Sequence, residues 1–423
     1  MAESIFDQEA AGDNLRARLI EELRAGGSIR TIGVAAAFAE VKRELFIPEI
    51  AVAGGLEAVY RDEAYVTKQD AHGMPLSSSS QPAMMAQMLE LLEAAPGRRV
   101  LEIGAGTGYN AALLSRLVGP SGQVVTVEVD PEIAERAQRA LRNAGTSVEV
   151  TVGDGRLGLA AYAPYDRIIV TANADAIPAA WFEQLAEDGR LVAPLCLDPD
   201  TDAVHLIPAF VRRGNALQAT ESTWGGFMPL HDGGGVSPAP MASLGATHRV
   251  GGRFSSLVSL SGSGLERLSE AAARGLLAAM MGSARQPRVR GSTSLVGGHT
   301  PALLIYLMVR IPAGRRIWIR RAGRHGVGLL GARGHSIAAV TVRSVWELGS
   351  DRARHARWRL EAWGDAGAQD ELERLVADWQ ALEHEGRDRL EITALPAGET
   401  LNLSFNWVQN PRRRASARRR ASA

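Results

Sequence analysis

From Arg99 onward the chain settles into an alternation that leaves few folds open. Short β-branched runs at Val100 to Ile103, Val124 to Val129, Val148 to Val152, Arg167 to Val170 and Arg190 to Leu195 alternate with helical segments at Tyr109 to Leu117, Pro131 to Asn143 and Ala179 to Leu185. Parallel strands need a crossover between them, and a helix of this length supplies one. The spacing predicts an α/β, Rossmann-like core, a mostly parallel sheet with helices on both faces. Val204 to Phe210 and Leu217 to Thr223 follow without an intervening helix, which predicts an antiparallel pair at one edge.

Around this core the chain divides. Residues 1–98 read as a helical preface, with apolar residues at helical spacing from Asn14 to Ala25 and from Thr31 to Leu45, then a polar Gly/Ser-rich segment from Ala64 to Ser80 and a helix from Met84 to Leu92. Residues 99–230 are the core, and 231–252, with Gly233-Gly234-Gly235, Pro238 and Pro240, read as a linker. Residues 253–411 form an α+β domain. It has a helix at Leu265 to Met281, strands near Leu303 to Ile311, Ile317 to Arg320 and Ile337 to Val345, a helix at Gln369 to Glu383 and late strands near Leu390 and Leu403. Residues 412–423 are an arginine-rich tail expected to be disordered. The formal charge of zero is a cancellation: residues 1–230 hold 31 acids against 19 bases, and the remainder 16 against 28. The single cysteine, Cys196, excludes an internal disulfide and a thiolate metal cluster. No apolar run approaches the roughly 20 residues of a membrane helix, so a cytoplasmic location without membrane or metal is expected. The sequence carries no signal for an oligomeric state.

The chemistry is concentrated in Val100-Leu101-Glu102-Ile103-Gly104-Ala105-Gly106-Thr107-Gly108, a strand running into a glycine-rich turn that opens a helix. Such a turn brings backbone N–H groups close to a ligand. Tyr109 stands where a dinucleotide fingerprint has its third glycine, which argues against NAD or FAD. Glu102, two residues before the first glycine, points instead to S-adenosyl-L-methionine, whose sulfonium and amino groups are cationic. The next strand ends in Glu128, an acceptor for ribose hydroxyls, and the third is followed by Gly153-Asp154-Gly155, where a carboxylate can take an adenine amino group. His72, His205 and His231 are scattered and read as surface or packing residues.

With these stretches the sequence resembles the protein-L-isoaspartate O-methyltransferase family over about residues 14 to 230. The matching segments are Val41 to Pro48, Ser80-Gln81-Pro82, Arg99 to Asn110, Gly153 to Gly155, Ala163 to Thr171, and Gln184-Leu185 through Gly189 to Pro194. The resemblance implies a class I S-adenosylmethionine-dependent methyltransferase fold and a role for each position. Ser80 is the catalytic serine beside the transferring methyl; Glu102, Gly104, Gly106, Gly108, Tyr109, Asn110, Glu128, Asp154 and Gly155 bind the cofactor; Ser79, Gln81 and Thr171 meet the substrate.

The chain departs from the family pattern by its 193 residues beyond position 230 and by a longer approach to Ser80. Extended members with a Ser-Ser-Ser-Ser-Gln-Pro-like segment resemble methyltransferases encoded with ribosomally made peptides, the lanthipeptides and graspetides. That resemblance implies a modified precursor peptide as substrate, esterified on aspartate and passing through a succinimide to isoaspartate, with the basic C-terminal half holding the peptide. General repair of isoaspartyl residues in damaged proteins is the alternative. Nucleic acid is not expected as a partner: after the fourth strand stands Thr171-Ala172-Asn173-Ala174-Asp175, not the Asp/Asn-Pro-Pro-Tyr or Phe element of amino-group methyltransferases.

Overall fold

A computed structural model describes residues 2–71, 73, 75–196, 205–228, 230, 248–250, 258–261, 268, 272, 276, 280, 290–296, 300–321, 324–334, 336–343, 355–381 and 390–407. They divide into two units, one of Met1–Leu195, His205–Ser237 and Ile392–Ser404, the other of Cys196–Val204, Pro238–Glu391 and Phe405–Ala423.

The first unit begins with α1 (Ala2–Ala25), α2 (Ile32–Glu40) and α3 (Pro48–Val59). The second helical stretch is shorter than expected: α2 stops at Glu40, and Arg43–Leu45 form a separate 3-10 turn. The apolar pattern of Pro48–Val59 gives a third helix that the sequence reading omits, started by Pro48 and kinked at Gly55. The Ser-rich segment is not a loop. Its residues pair as an antiparallel hairpin, β1 (Tyr65–Gln69) and β2 (Pro75–Ser79), before α4 (Pro82–Leu92).

The α/β succession follows as β3 (Arg99–Ile103), α5 (Tyr109–Val118), β4 (Gln123–Glu128), α6 (Pro131–Asn143), β5 (Glu149–Val152), β6 (Tyr165–Val170), β7 (Ile177–Pro178), α7 (Ala179–Gln184) and β8 (Leu185–Val192). The parallel strands lie in the order β5-β4-β3-β6-β8. Strand β3 is central, and Val100, Leu101, Glu102 and Ile103 are each 0% exposed. Its register sets Glu102 beside Thr126 of β4. α6 shows why its bounds were legible: Asp130 caps it by accepting from the N–H groups of Glu132 and Ile133, and Ile133, Ala134, Ala137, Ala140 and Leu141 form one buried stripe. Leu19, Leu23, Phe38, Met88, Leu92, Leu113 and Leu114 from α1, α2, α4 and α5 share a core with Val100, Val124 and Ile169 of the sheet.

The expected antiparallel pair, His205–Arg213 and Ala216–Gly225, extends the sheet from β8. It is not the end. Ala394 and Thr393 of the strand Leu390–Ala397 pair with Leu217 and Gln218, and Thr400 and Leu401 of the strand Thr400–Trp407 pair with Pro178 and Ile177. These late strands were expected in the C-terminal domain, yet residues 392–404 belong to the first unit. Main-chain groups of an edge strand are an open template for further pairing, a requirement invisible in local sequence.

The second unit is built on an antiparallel sheet of eight strands in the order His248–Val250, Val258–Ser261, Arg316–Arg321, Arg324–Leu330, Ile337–Arg343, His355–Trp363, Arg290–Val296 and Thr300–Pro301. One correction concerns the strand expected near Leu303 to Ile311: Ala302–Arg310 is an α-helix. Leu303, Leu304, Ile305, Tyr306, Leu307 and Met308 are all buried, so no polar face remains to reveal the helical period. The helix expected at Gln369 to Glu383 is present as Gly367–Ala381. The helix expected at Leu265 to Met281 lies largely outside the described residues; Ala272, Leu276 and Met280 are helical, the last two packed with Ile317, Ile319, Ile337 and Trp363. Part of the expected linker, His248–Val250, is a strand, and the arginine tail lies outside the described residues.

Candidate active site

The glycine turn at the carboxyl end of β3 forms one wall of a cleft with an empty volume of about 1010 Å³, open solvent at its mouth included. In open α/β sheets this end, where strand order reverses between β3 and its two neighbours, is where ligands bind. Gly104 has φ +95°, and a Cβ there would stand 2.4 Å from Thr171 Oγ1. The Thr171 hydroxyl is within hydrogen-bond distance of the carbonyls of Gly104 (2.7 Å) and Ile103 (3.0 Å), tying the turn to the end of β6. Glu128, at the end of β4, accepts from Gly106 N (3.0 Å) through Oε2 and from Asp130 N (3.2 Å) through Oε1. The turn is therefore held before any ligand arrives.

Glu102 does not line the cleft. Its Oε2 accepts from Thr126 Oγ1 (2.7 Å) and its Oε1 from Asn110 Nδ2 (2.8 Å). Burial, with the Glu128 charge nearby, pushes its carboxyl up to about 7 against the pull of these two donors. Its influence passes through Asn110, which does line the cleft and whose Oδ1 is buried without a hydrogen-bond partner.

β2 and the start of α4 also line the cleft. Leu76, Ser77, Ser78 and Ser80 contribute beside the glycine turn, where a Cβ on Gly106 would stand 3.5 Å from Ser78 O, and Met84, Met85, Met88, Phe227, Met228 and Leu230 give the lining its apolar part. Of the residues singled out in the sequence, Ser80, Gly104, Gly106, Tyr109, Asn110, Glu128, Gly155 and Thr171 line this cleft. Five others stand apart from the lining. Ser79 is 2% exposed and its Oγ accepts from Arg43 Nη2 (3.3 Å), so its position as a substrate contact is corrected to an internal one. Gln81 likewise turns away, donating from Nε2 to Asp62 Oδ2 (2.9 Å). Gly108 packs on α6, where a Cβ would meet the Ala137 carbonyl at 3.3 Å. Asp154 caps the short turn Gly155–Leu157 and is clamped by the Arg156 guanidinium at 2.7 to 3.0 Å, which lowers its pKa. Gly155 does reach the cleft, and a Cβ on it would strike Ile103 Cγ2 at 2.4 Å. His72 and His231 lie outside the described residues.

The apolar wall escaped the sequence reading. Met84 to Met88 look like ordinary core at helical spacing. Phe227, Met228 and Leu230 arrive by a tertiary pairing in which Asn173 N donates to Met228 O (2.7 Å) and Leu230 N to Asn173 O (2.8 Å). No local signal marks that.

A parallel sheet of this order, with a glycine turn after its central strand and an acidic residue closing the next, is a Rossmann-like arrangement for a nucleotide-type ligand. The family model for protein-L-isoaspartate(D-aspartate) O-methyltransferase matches residues 14–233. A protein-L-isoaspartate O-methyltransferase of Methanopyrus kandleri is 44% identical over 182 residues, 43% of this chain and 76% of the relative. Protein-L-isoaspartate O-methyltransferase 2 of Archaeoglobus fulgidus is 39% identical over 221 residues, 52% of this chain and 93% of the relative. A solved protein-L-isoaspartate O-methyltransferase structure aligns over 92% of this chain and 99% of its own at 26% identity, with a TM-score of 0.49. The chain belongs to the protein-L-isoaspartate(D-aspartate) O-methyltransferase family. It is an S-adenosylmethionine-dependent protein O-methyltransferase carrying a second folded unit beyond the family region.

Proposed function

We propose that the first unit esterifies the free carboxylate of isoaspartyl residues in proteins and peptides. The observation that carries this is one cleft lined together by Ser80, the Gly104 to Gly106 turn, Asn110 and Glu128. The residues fit S-adenosyl-L-methionine. The unpartnered Asn110 Oδ1 is an acceptor awaiting a donor such as an ammonium group, and Glu128 keeps lone pairs free for ribose hydroxyls. Gly104, Gly106, Tyr109 and Gly155 would shape the rest of that pocket, while Glu102, Gly108 and Asp154 support it from outside. When bound, the cofactor supplies a methyl carbon activated by its sulfonium.

The chain's own residues then have little to do beyond placement. A carboxylate, with reference pKa near 4, is ionised at neutral pH and needs no general base to act as nucleophile. The Ser80 hydroxyl donates a hydrogen bond that aims it, and the methionine wall of α4 excludes water, so orientation supplies most of the acceleration. Once esterified, the carbonyl carbon is attacked by the following backbone nitrogen, the C–O bond to the methoxy group breaks and methanol leaves with the amide proton, and the succinimide that forms hydrolyses to aspartate and isoaspartate without further catalysis.

A second, finer reading takes a modified precursor peptide as substrate, held by the second unit. The described strands of its sheet carry nine arginines and one carboxylate, Glu361, a charge suited to an acidic peptide. Product analysis separates the alternatives. Incubation with S-adenosylmethionine is expected to add one base-labile methyl group to a linear isoaspartyl peptide. A base-stable methyl on an amine contradicts carboxyl transfer, and modification confined to a constrained precursor favours the second reading.

A further inference from the structure

One buried cation holds the segment that carries Ser80. Arg43 is 0% exposed. Its Nη1 donates to the carbonyls of Val59 (2.9 Å) and Arg61 (3.1 Å), and its Nη2 to the carbonyls of Glu63 (3.0 Å) and Ser80 (3.1 Å) and to Ser79 Oγ (3.3 Å). All five acceptors are neutral. The rings of Tyr65 and Tyr109 lie 5.5 and 6.0 Å from the guanidinium carbon. Burying a guanidinium on uncharged partners is costly, and an apolar side chain of similar volume serves packing as well or better. Here the Val59 carbonyl at the negative end of α3 and the two ring faces offset part of that cost. Nε still makes no hydrogen bond, which packing alone does not explain.

The pattern of acceptors shows what the cation accomplishes. Arg61 and Glu63 flank Asp62, whose Oδ1 accepts from Ala83 N (2.7 Å) and whose Oδ2 accepts from Gln81 Nε2 (2.9 Å). Arg43 thus fixes the turn that presents Asp62 and also the strand end Ser79–Ser80, while Asp62 grips the chain just past Ser80. The serine is bracketed: its carbonyl is bound on one side and the next residue's side chain on the other. Ser80 itself lines the cleft.

We propose that Arg43 is a positioning residue for methyl transfer, setting the backbone of residues 79–81 and through it the aim of the Ser80 hydroxyl. This rests on the role proposed above for Ser80. Lysine cannot replace it, since one ammonium with three N–H bonds does not span five acceptors on two stretches of chain.

A double-mutant cycle on the full chain tests this. Arg43→Lys is expected to lower kcat on an isoaspartyl peptide about 30-fold while moving the KM for S-adenosylmethionine by less than about 3-fold. Ser80→Ala alone is expected to cost about 30-fold, but less than about 3-fold when added to Arg43→Lys, because the hydroxyl there is already misaimed. Equal Ser80→Ala losses in both backgrounds, an Arg43→Lys enzyme with wild-type kcat, or a Ser80→Ala enzyme without loss each overturn the inference. Asp62→Ala leaves the guanidinium in the core and releases only the far side of the bracket. It is expected to show the same non-additivity with Ser80→Ala, and it decides the matter if Arg43→Lys does not fold. Absence of wild-type turnover contradicts the isoaspartyl reading itself, whereas wild-type turnover with additive losses contradicts the positioning role alone.

Discussion

At the scale of single residues, the cleft depends on groups that never touch it. Glu102 is the clearest case: when ionised, its carboxylate obliges Asn110 to turn its amide N–H toward it, which leaves Asn110 Oδ1 buried and without a partner. Its folded pKa of about 7 against an ordinary 4.5 means that the folded protein holds this proton over a pH range where the unfolded chain has lost it. Stability contributed at this position therefore falls as pH rises from about 4.5 to about 7. Urea midpoints measured from pH 5 to 8 are expected to fall in the wild type relative to Glu102→Gln; a relative rise contradicts the assignment. Affinity for S-adenosylhomocysteine is expected to improve with pH through about 7 in the wild type and to lose that dependence in Glu102→Gln. That Gly104, Gly106, Glu128 and Ser80 line one cleft was legible because each stands at or just past a strand end. Ser79 and Gln81, one place before and one place after Ser80, were misread because adjacent residues on an extended segment point to opposite sides. Only the positions of Arg43 and Asp62, distant in sequence, fix which side faces the cleft.

At the scale of elements, the hairpin β1–β2 brings Leu76, Ser77 and Ser78 of β2 into the lining of the cleft. It is fastened to the α/β core by Lys68, whose Nζ donates to Asp130 Oδ2 (2.8 Å) and Glu132 Oε2 (2.6 Å) at the start of α6. A half-exposed pair of this kind is worth at most about 1 kcal/mol, so its effect is local. Lys68→Ala is expected to speed amide exchange across residues 65–79 and to leave the thermal midpoint nearly unchanged; unaltered exchange contradicts the fastening. The parallel core was readable because its strands and helices repeat a simple period and α6 carries a full cap. The hairpin was not, since four serines carry no alternation of polar and apolar residues. Ala302–Arg310 was misread for the opposite reason, being apolar on every side.

At the scale of the whole molecule, the chain joins an acidic family region to a unit whose sheet is rich in arginine, and the last strands return to extend the first unit's sheet. That return was illegible because it is fixed by main-chain pairing and not by side-chain pattern. If the second unit gathers acidic peptide, Arg357→Glu, at an exposed strand position, is expected to raise KM for an acidic isoaspartyl peptide about 5-fold at low salt, with kcat unchanged and a neutral peptide unaffected. An unchanged KM contradicts that role and leaves the methyl-transfer chemistry of the first unit standing. That chemistry is tested most directly by the ratio of kcat/KM for an isoaspartyl peptide to that for its aspartyl twin, identical in sequence. The isoaspartyl reading predicts a ratio above about 100 in favour of the isoaspartyl form. A ratio near one, or turnover of neither peptide, would contradict it.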